Sequence, residues 1–262
     1  MQNKTNYLKV FFSIILVLLV VTGCMTVPET EEPKPIVGII APQITDCQLL
    51  MTEEEVKSQG IEQQRRMYSV DSRQRISEQA VQAGFSAGTR VEAMKEFNCA
   101  WRFNPENAMA YWGAAMVRGC EALDLKDDRR LSGICWEESI QLWEKGALYL
   151  NHLSVISRCE FRMDQAAGYA LYAEFLQNES KERAVVLLEK AEALIMPYHN
   201  CRHFFPEENR RVNVRVSWQL KQICTLLGRT DDAMKYQEEF LRITSEEERE
   251  SLDSTKDGRW SE

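Results

Sequence analysis

Between residues 52 and 244 nearly every segment repeats its apolar side chains three and four residues apart. No stretch sustains the apolar-polar alternation of a half-buried strand. This periodicity restricts the chain to an all-α fold. Turn-forming residues cut the pattern into short helices: Gly88, Asn104-Pro105, Asn151, Asn178-Glu179-Ser180, Pro197, Pro206 and Gly228. Thr52 to Glu55 reads as a capping box, Asp71 to Gln74 as a second, and Thr230 as the cap of the last helix.

A finer spacing recurs inside this pattern. Ala93, Phe97 and Ala100 follow small-x₃-large-x₂-small, with Gly88 in the turn before and Pro105 in the turn after. Ser139, Trp143 and Gly146 repeat the steps ahead of Asn151, and Ala184, Leu188 and Ala191 repeat them again after Leu171 and Phe175. Gly228 and Ala233 keep the turn-to-helix distance of Gly88 and Ala93. Small residues seven apart share one helix face, where they let two helices approach while the large residue fills the gap. The spacing resembles the tetratricopeptide repeat (TPR), a helix-turn-helix unit of 34 residues. The resemblance implies a TPR-like α-solenoid of helix-turn-helix repeats. The repeats fall at about 74–107, 108–153, 165–198 and 214–244, in a domain spanning 71–244. The second unit exceeds the standard repeat by about twelve residues, read as an insertion near 119–134. An N-terminal helix at 52–70 precedes the domain, and a charged tail at 245–262 follows it.

Upstream, Lys4 and Lys9 precede an apolar run from Val10 to Val21 broken only by Ser13. The run falls short of the ~20 residues of a spanning helix and suits the ~7–15 residues of a signal-peptide core. Val21-Thr22-Gly23-Cys24 resembles a bacterial lipobox. That resemblance implies a signal peptide at 1–23, cleavage before Cys24 and lipidation of its thiol. Residues 24–51 then read as a tether, interrupted by Pro28, Pro33, Pro35 and Pro42 and solvated by Glu29, Glu31 and Glu32. Within it Ile36 to Ile40 is an apolar patch, either a short strand or a segment that packs on the domain. Met25 stands where the enterobacterial inner-membrane retention signal has aspartate. The expected location is therefore the cell envelope, on the periplasmic face of the outer membrane where the cell has one.

The chain carries a formal charge of −8, and loss of Lys4 and Lys9 with the signal peptide brings it to −10. With no basic cluster to neutralise phosphates, nucleic acid is not an expected partner. Of the eight cysteines, seven remain beside Cys24: Cys47, Cys99, Cys120, Cys135, Cys159, Cys201 and Cys224. An odd number cannot all pair within one chain. Cys120 and Cys135, which bracket the insertion, are either a disulfide or two thiols on neighbouring helices, the second being favoured.

TPR arrays bind along the concave face lined by the first helix of each repeat. In the register above, one inner-face position is Glu78, Trp112, Tyr169 and Trp218, and another holds Arg75 and Arg215. Two readings are open. Arg75, Trp112, Tyr169, Arg215 and Trp218 line a groove for an envelope protein or peptide segment, aromatic anchors being usual centres of binding energy. Alternatively, the aromatic stripe is inter-helix core. His199, Cys201 and His203 alternate as zinc-type donors, but structural zinc takes four ligands, and a polar connector is the favoured reading. No nucleophile elbow or P-loop is present, so neither an enzyme nor a cofactor is expected. The leading expectation is a membrane-anchored lipoprotein that scaffolds protein interactions in envelope assembly or maintenance. Alternatives are a lipoprotein that binds an envelope glycan or small molecule, and a metal-dependent enzyme.

Overall fold

A computed structural model describes residues 60–200 and 210–244. Cys24, the tether, the capping box at Thr52, Cys201, His203 and the charged tail lie outside the described residues. The described residues are all-helical and contain nine α-helices. They divide into two compact units, one ending at Pro105 and one starting at Glu106.

The first unit holds α1 (Ile61–Arg66), α2 (Val70–Ser86) and α3 (Arg90–Phe103). Ser69 caps α2 by accepting from the Ser72 amide at 3.2 Å, so the helix starts ahead of the box expected at Asp71. Asp71 instead lies in the first turn, where its charge complements the helix dipole. Thr89 caps α3 in the same way, accepting from the Glu92 amide. Ala93, Phe97 and Ala100 are all fully buried against α2. The Phe97 ring sits over Gly84, where a Cβ would come within 2.6 Å of it. Ser77, also fully buried, donates to the Ala100 carbonyl at 2.8 Å. Arg65 ties α1 to the end of α3 through the carbonyls of Arg102 and Trp101.

The second unit holds three further hairpins: α4 (Ala108–Asp124) with α5 (Arg129–Ala147), α6 (Val155–Leu176) with α7 (Lys181–Asn200), and α8 (Arg210–Leu226) with α9 (Thr230–Ile243). Asn107, Asp128 and Ser154 cap α4, α5 and α6 through their side-chain oxygens. Ser139 donates to the Ala115 carbonyl and Ser132 to that of Ala122. These pairings run in opposite directions along the two helices, so α4 and α5 are antiparallel. The code of the first hairpin is buried here too: Ser139, Trp143 and Gly146 on α5, and Ala184, Leu188 and Ala191 on α7. Hairpins also meet one another, with α5 packing on α6, and α8 on both α6 and α7.

Three local expectations are corrected, and the extra residues near 119–134 are built into the second hairpin. They lengthen both helices, α4 running to Asp124 and α5 starting at Arg129. Asp128 provides the cap that restarts the helix. The third hairpin begins at Val155 rather than near 165, because Ser154 caps there. Pro197 ends nothing: it lies within α7, exposed in the penultimate turn, and the helix continues to Asn200. Thr230 is not a cap but the first helical residue of α9. The turn before it is closed instead by Gly228 at φ 74°. There the Arg229 amide bonds the Cys224 carbonyl and the Gly228 amide bonds Thr225, a Schellman closure that needs a left-handed residue.

Candidate functional site

Helix α6 is buried at every position from Met163 to Ala173. A polar group on such a helix must find a partner or carry a large desolvation cost. Asp164, 3% exposed, has two. The Trp112 indole N–H on α4 donates to its Oδ2 at 2.8 Å, and the Arg215 guanidinium on α8 donates to Oδ1. One carboxylate thus joins the first helices of three successive hairpins. One residue along, the Met163 carbonyl accepts from the Gln219 side chain at 3.0 Å.

The charges around this carboxylate are strongly confined. Burial lowers Arg215 to about 10, opposed by nearby Glu160 and Cys159, so it remains cationic at neutral pH. Burial raises the Cys159 thiol to about 12, with Arg215 opposing. It raises the Glu160 carboxyl as well, again against Arg215. A thiol held protonated in this way is a packing group rather than a nucleophile.

Further along α6 a second polar row faces α5 and α7. Arg162 donates to Gln165, Gln165 to the Tyr169 hydroxyl, and that hydroxyl to Glu144 at 3.3 Å. Tyr172 donates to Glu137, which Arg183 also engages. Lys190, Arg183 and Arg129 lie over the rings of Tyr169, Tyr172 and Phe175 in turn. Tyr169 is raised to about 12, chiefly by burial.

Of the five residues expected to line a groove, Trp112, Tyr169 and Arg215 are each less than a tenth exposed. The two rings make up inter-helix core, the second of the readings left open by the sequence. Trp112 packs edge-on against Phe161 at 5.7 Å, and Tyr169 is closed over by Lys190. Neither presents aromatic surface to a partner. Trp218 is half-buried on α8, and Arg75 is exposed on α2 in the other unit. Register and spacing do not mark Asp164, on which Trp112 and Arg215 converge. The signal available was one acid in Met163-Asp164-Gln165-Ala166-Ala167-Gly168, a stretch too apolar for a solvated face.

Cys135 is a buried free thiol, so it forms no disulfide with Cys120. His199 is buried at the end of α7, 2.8 Å from Glu239 on α9 and edge-on to Tyr236. Among the described residues no group of three or more His, Cys, Asp and Glu is placed to hold a metal. None of the described helices is long and apolar enough to cross a membrane. No protein-family model matches the chain, and neither a curated protein nor a solved structure matches it significantly.

Proposed function

We propose that the chain is a lipid-anchored bacterial lipoprotein whose helical hairpins form a TPR-like solenoid scaffolding a protein or peptide segment in the cell envelope. The observation that carries this reading is hairpin-on-hairpin packing with one repeated code. Small-large-small triplets are buried on α3, α5 and α7, and α8 packs on both helices of the hairpin before it. Stacked units of this kind bury a continuous core and leave long faces for a partner. The basic n-region, the apolar core and Cys24 supply the anchor.

With Trp112 and Tyr169 enclosed, the expected set retains Trp218, half-buried on α8, and Arg75, exposed on α2. A photo-reactive residue placed at each of these positions in living cells tests the scaffold, with Met234, exposed on the outer side of α9, as control. One envelope protein captured from positions 75 or 218 and absent from 234 is expected. Equal capture at all three, or none, overturns the reading. The anchor is tested separately by metabolic labelling with a fatty-acid analogue. The label is expected on the wild-type chain and lost in Cys24→Ser.

A further inference from the structure

The acidity of this chain is unevenly placed. Residues 24–59 carry seven acids and two lysines, whereas residues 60–105 carry seven lysines and arginines against five acids. The cationic surplus has a defined place, where α1 turns into α2. Val70, Arg73 and Ser77 follow one another at three- and four-residue steps and share one stripe of α2. Ser77 is buried under α3 through its bond to the Ala100 carbonyl. Arg73 and Val70 continue the stripe toward and beyond the end of α3, so Val70 stays 67% exposed. Beside it Met67, the C-cap of α1, is 79% exposed next to exposed Arg66. Tyr68, edge-on to Phe103 at 5.6 Å, and Arg65, on the Arg102 and Trp101 carbonyls, fix this corner. The acids of α2 lie elsewhere. Asp71 and Glu78 share a stripe roughly 140–160° round the helix from Arg73, and Glu78 accepts from Gln74 at 3.0 Å. On α1 the acid is Glu62, four residues before Arg66. In the second unit Arg118, Arg129, Arg183, Arg215 and Arg229 each reach a carboxylate. Among the described residues Arg66 and Arg73 reach none, and the Arg73 Nε–H is enclosed without an acceptor. Such a donor costs free energy until an acceptor satisfies it.

We propose that this corner docks the chain's own segment Glu29–Ile40, with Glu29, Glu31 and Glu32 on Arg66 and Arg73, and Ile36–Ile40 on Met67 and Val70. The segment supplies what the corner lacks: carboxylates for two unpaired guanidinium groups, then an apolar run for two exposed apolar side chains. Glu53–Glu55 and Glu246–Glu248 are acidic runs too, but no apolar run follows either. Pro28, Pro33 and Pro35 restrict the backbone of the segment and so lower the entropy lost on docking. Between Glu32 and Gly60 lie 27 residues. A coil of that length spans ~30 Å, against ~9 Å for a helix as short as α1. The corner is therefore within reach, and the contact is intramolecular, which populates even a weak one. Docking itself needs no lipid. Its consequence rests on the lipoprotein reading above. Glu29 stands five residues after Cys24, so a docked segment holds the first unit close to the lipid. Release gives the domain the full length of residues 24–59 as reach.

The full-length protein in its own cells, with a benzophenone side chain at position 70, provides the test. Position 91 is the control, since Val91 is 50% exposed near the start of α3, at the other end of the same hairpin. Adducts are read in the monomeric band and placed by fragmentation of the crosslinked peptide. Adducts to the chain's own residues 29–40 are expected at least about fivefold more often from 70 than from 91. Glu29→Lys/Glu31→Lys/Glu32→Lys, outside the described helices, should bring 70 down to the level of 91. Adding Arg66→Glu/Arg73→Glu should restore the excess at unchanged helicity, which a loss of folding could not do. Equal adducts at 70 and 91 overturn the inference. So does a main adduct from 70 to Glu53–Glu55, to Glu246–Glu248, to another protein or to lipid. An excess that the lysine substitutions leave intact overturns it as well. The fatty-acid label on Cys24 is read on the same material. The docked adduct on an unlabelled chain supports docking and removes only the anchor.

Discussion

Asp164 shows what a single buried charge does in this chain. Its carboxylate satisfies the Trp112 indole and the Arg215 guanidinium together, so removing one partner strands the other. Arg215→Met leaves an ionised carboxylate enclosed with a single neutral donor and should destabilise the second unit by about 3–5 kcal/mol. Adding Asp164→Leu to Arg215→Met should recover part of that loss, because the uncompensated charge goes. Urea unfolding of the two variants checks this, and equal midpoints would show that the pair is not what is lost. The thiols and phenols make a second case, with a defined pH window. Burial raises Cys159 to about 12, Cys99 and Cys224 to about 11, and Tyr169 to about 12. Unfolded cysteine ionises near 9 and tyrosine near 10. The folded chain thus keeps protons that the unfolded chain releases. Their contribution to stability is complete below about pH 9 and is lost as pH rises toward 12. The urea midpoint should fall between pH 8 and pH 10.5, and Cys159→Ala should make the fall shallower. At this scale the sequence was half legible. Trp112, Tyr169 and Arg215 stood out by register, but their burial did not, because aromatic residues on an inner groove and in a helix seam have the same spacing. Asp164 was hidden because a lone acid gives no sign of its partners 51 and 52 residues away.

At the scale of the helix, glycines set how closely hairpins pack. A Cβ on Gly146 would lie 2.9 Å from the Tyr111 Cβ and 3.0 Å from the Phe161 ring, both in the enclosed interior. Gly146→Ala should cost about 1–3 kcal/mol by overpacking, despite the better helix propensity of alanine. Gly133, on the same helix, meets only the edge of Phe175 at 3.8 Å. Gly133→Ala should therefore gain up to about 1 kcal/mol from propensity alone. Thermal melts of the two variants should move in opposite directions, and a matching shift would show that contact distance is not the cause. Pro197 gives a third case. It removes an amide donor from α7 three residues before the helix ends, and its ring is exposed, so nothing in the interior depends on it. Pro197→Ala should raise the melting temperature modestly, in proportion to the ~3 kcal/mol that proline costs in a helix interior and reduced by fraying. The same residue shows why element boundaries were harder to read than elements. Proline near a helix end reads as a stop, yet packing of His199 against Glu239 and Tyr236 carries the helix one turn further. The residues near 119–134 show the extra length of the second repeat taken up by its two helices. The burial of Gly119, Ala122 and Ser132 keeps both sides of the turn helical. What was legible was the buried code itself, because small residues seven apart have no other easy use.

At the scale of the whole molecule, the repeated hairpin and the division at Pro105 bear on how stability is distributed. In a stacked array each hairpin contacts only its neighbours, so stability is a sum of local and nearest-neighbour terms rather than one global quantity. Gly84→Ala probes the first unit, where the added Cβ meets the Phe97 ring at 2.6 Å. Arg215→Met probes the second unit through Asp164. Backbone hydrogen exchange followed by mass spectrometry separates their effects. Gly84→Ala should speed exchange by tenfold or more in α2 and α3, corresponding to about 1.4 kcal/mol or more, and leave α6 and α8 near wild-type rates. Arg215→Met should do the reverse, with the largest change in α6 and α8, and in α4 through the lost order of Trp112. A rise spread evenly over all described helices in either variant would mean that the chain opens as one cooperative body, and would remove the main physical support for reading it as a solenoid.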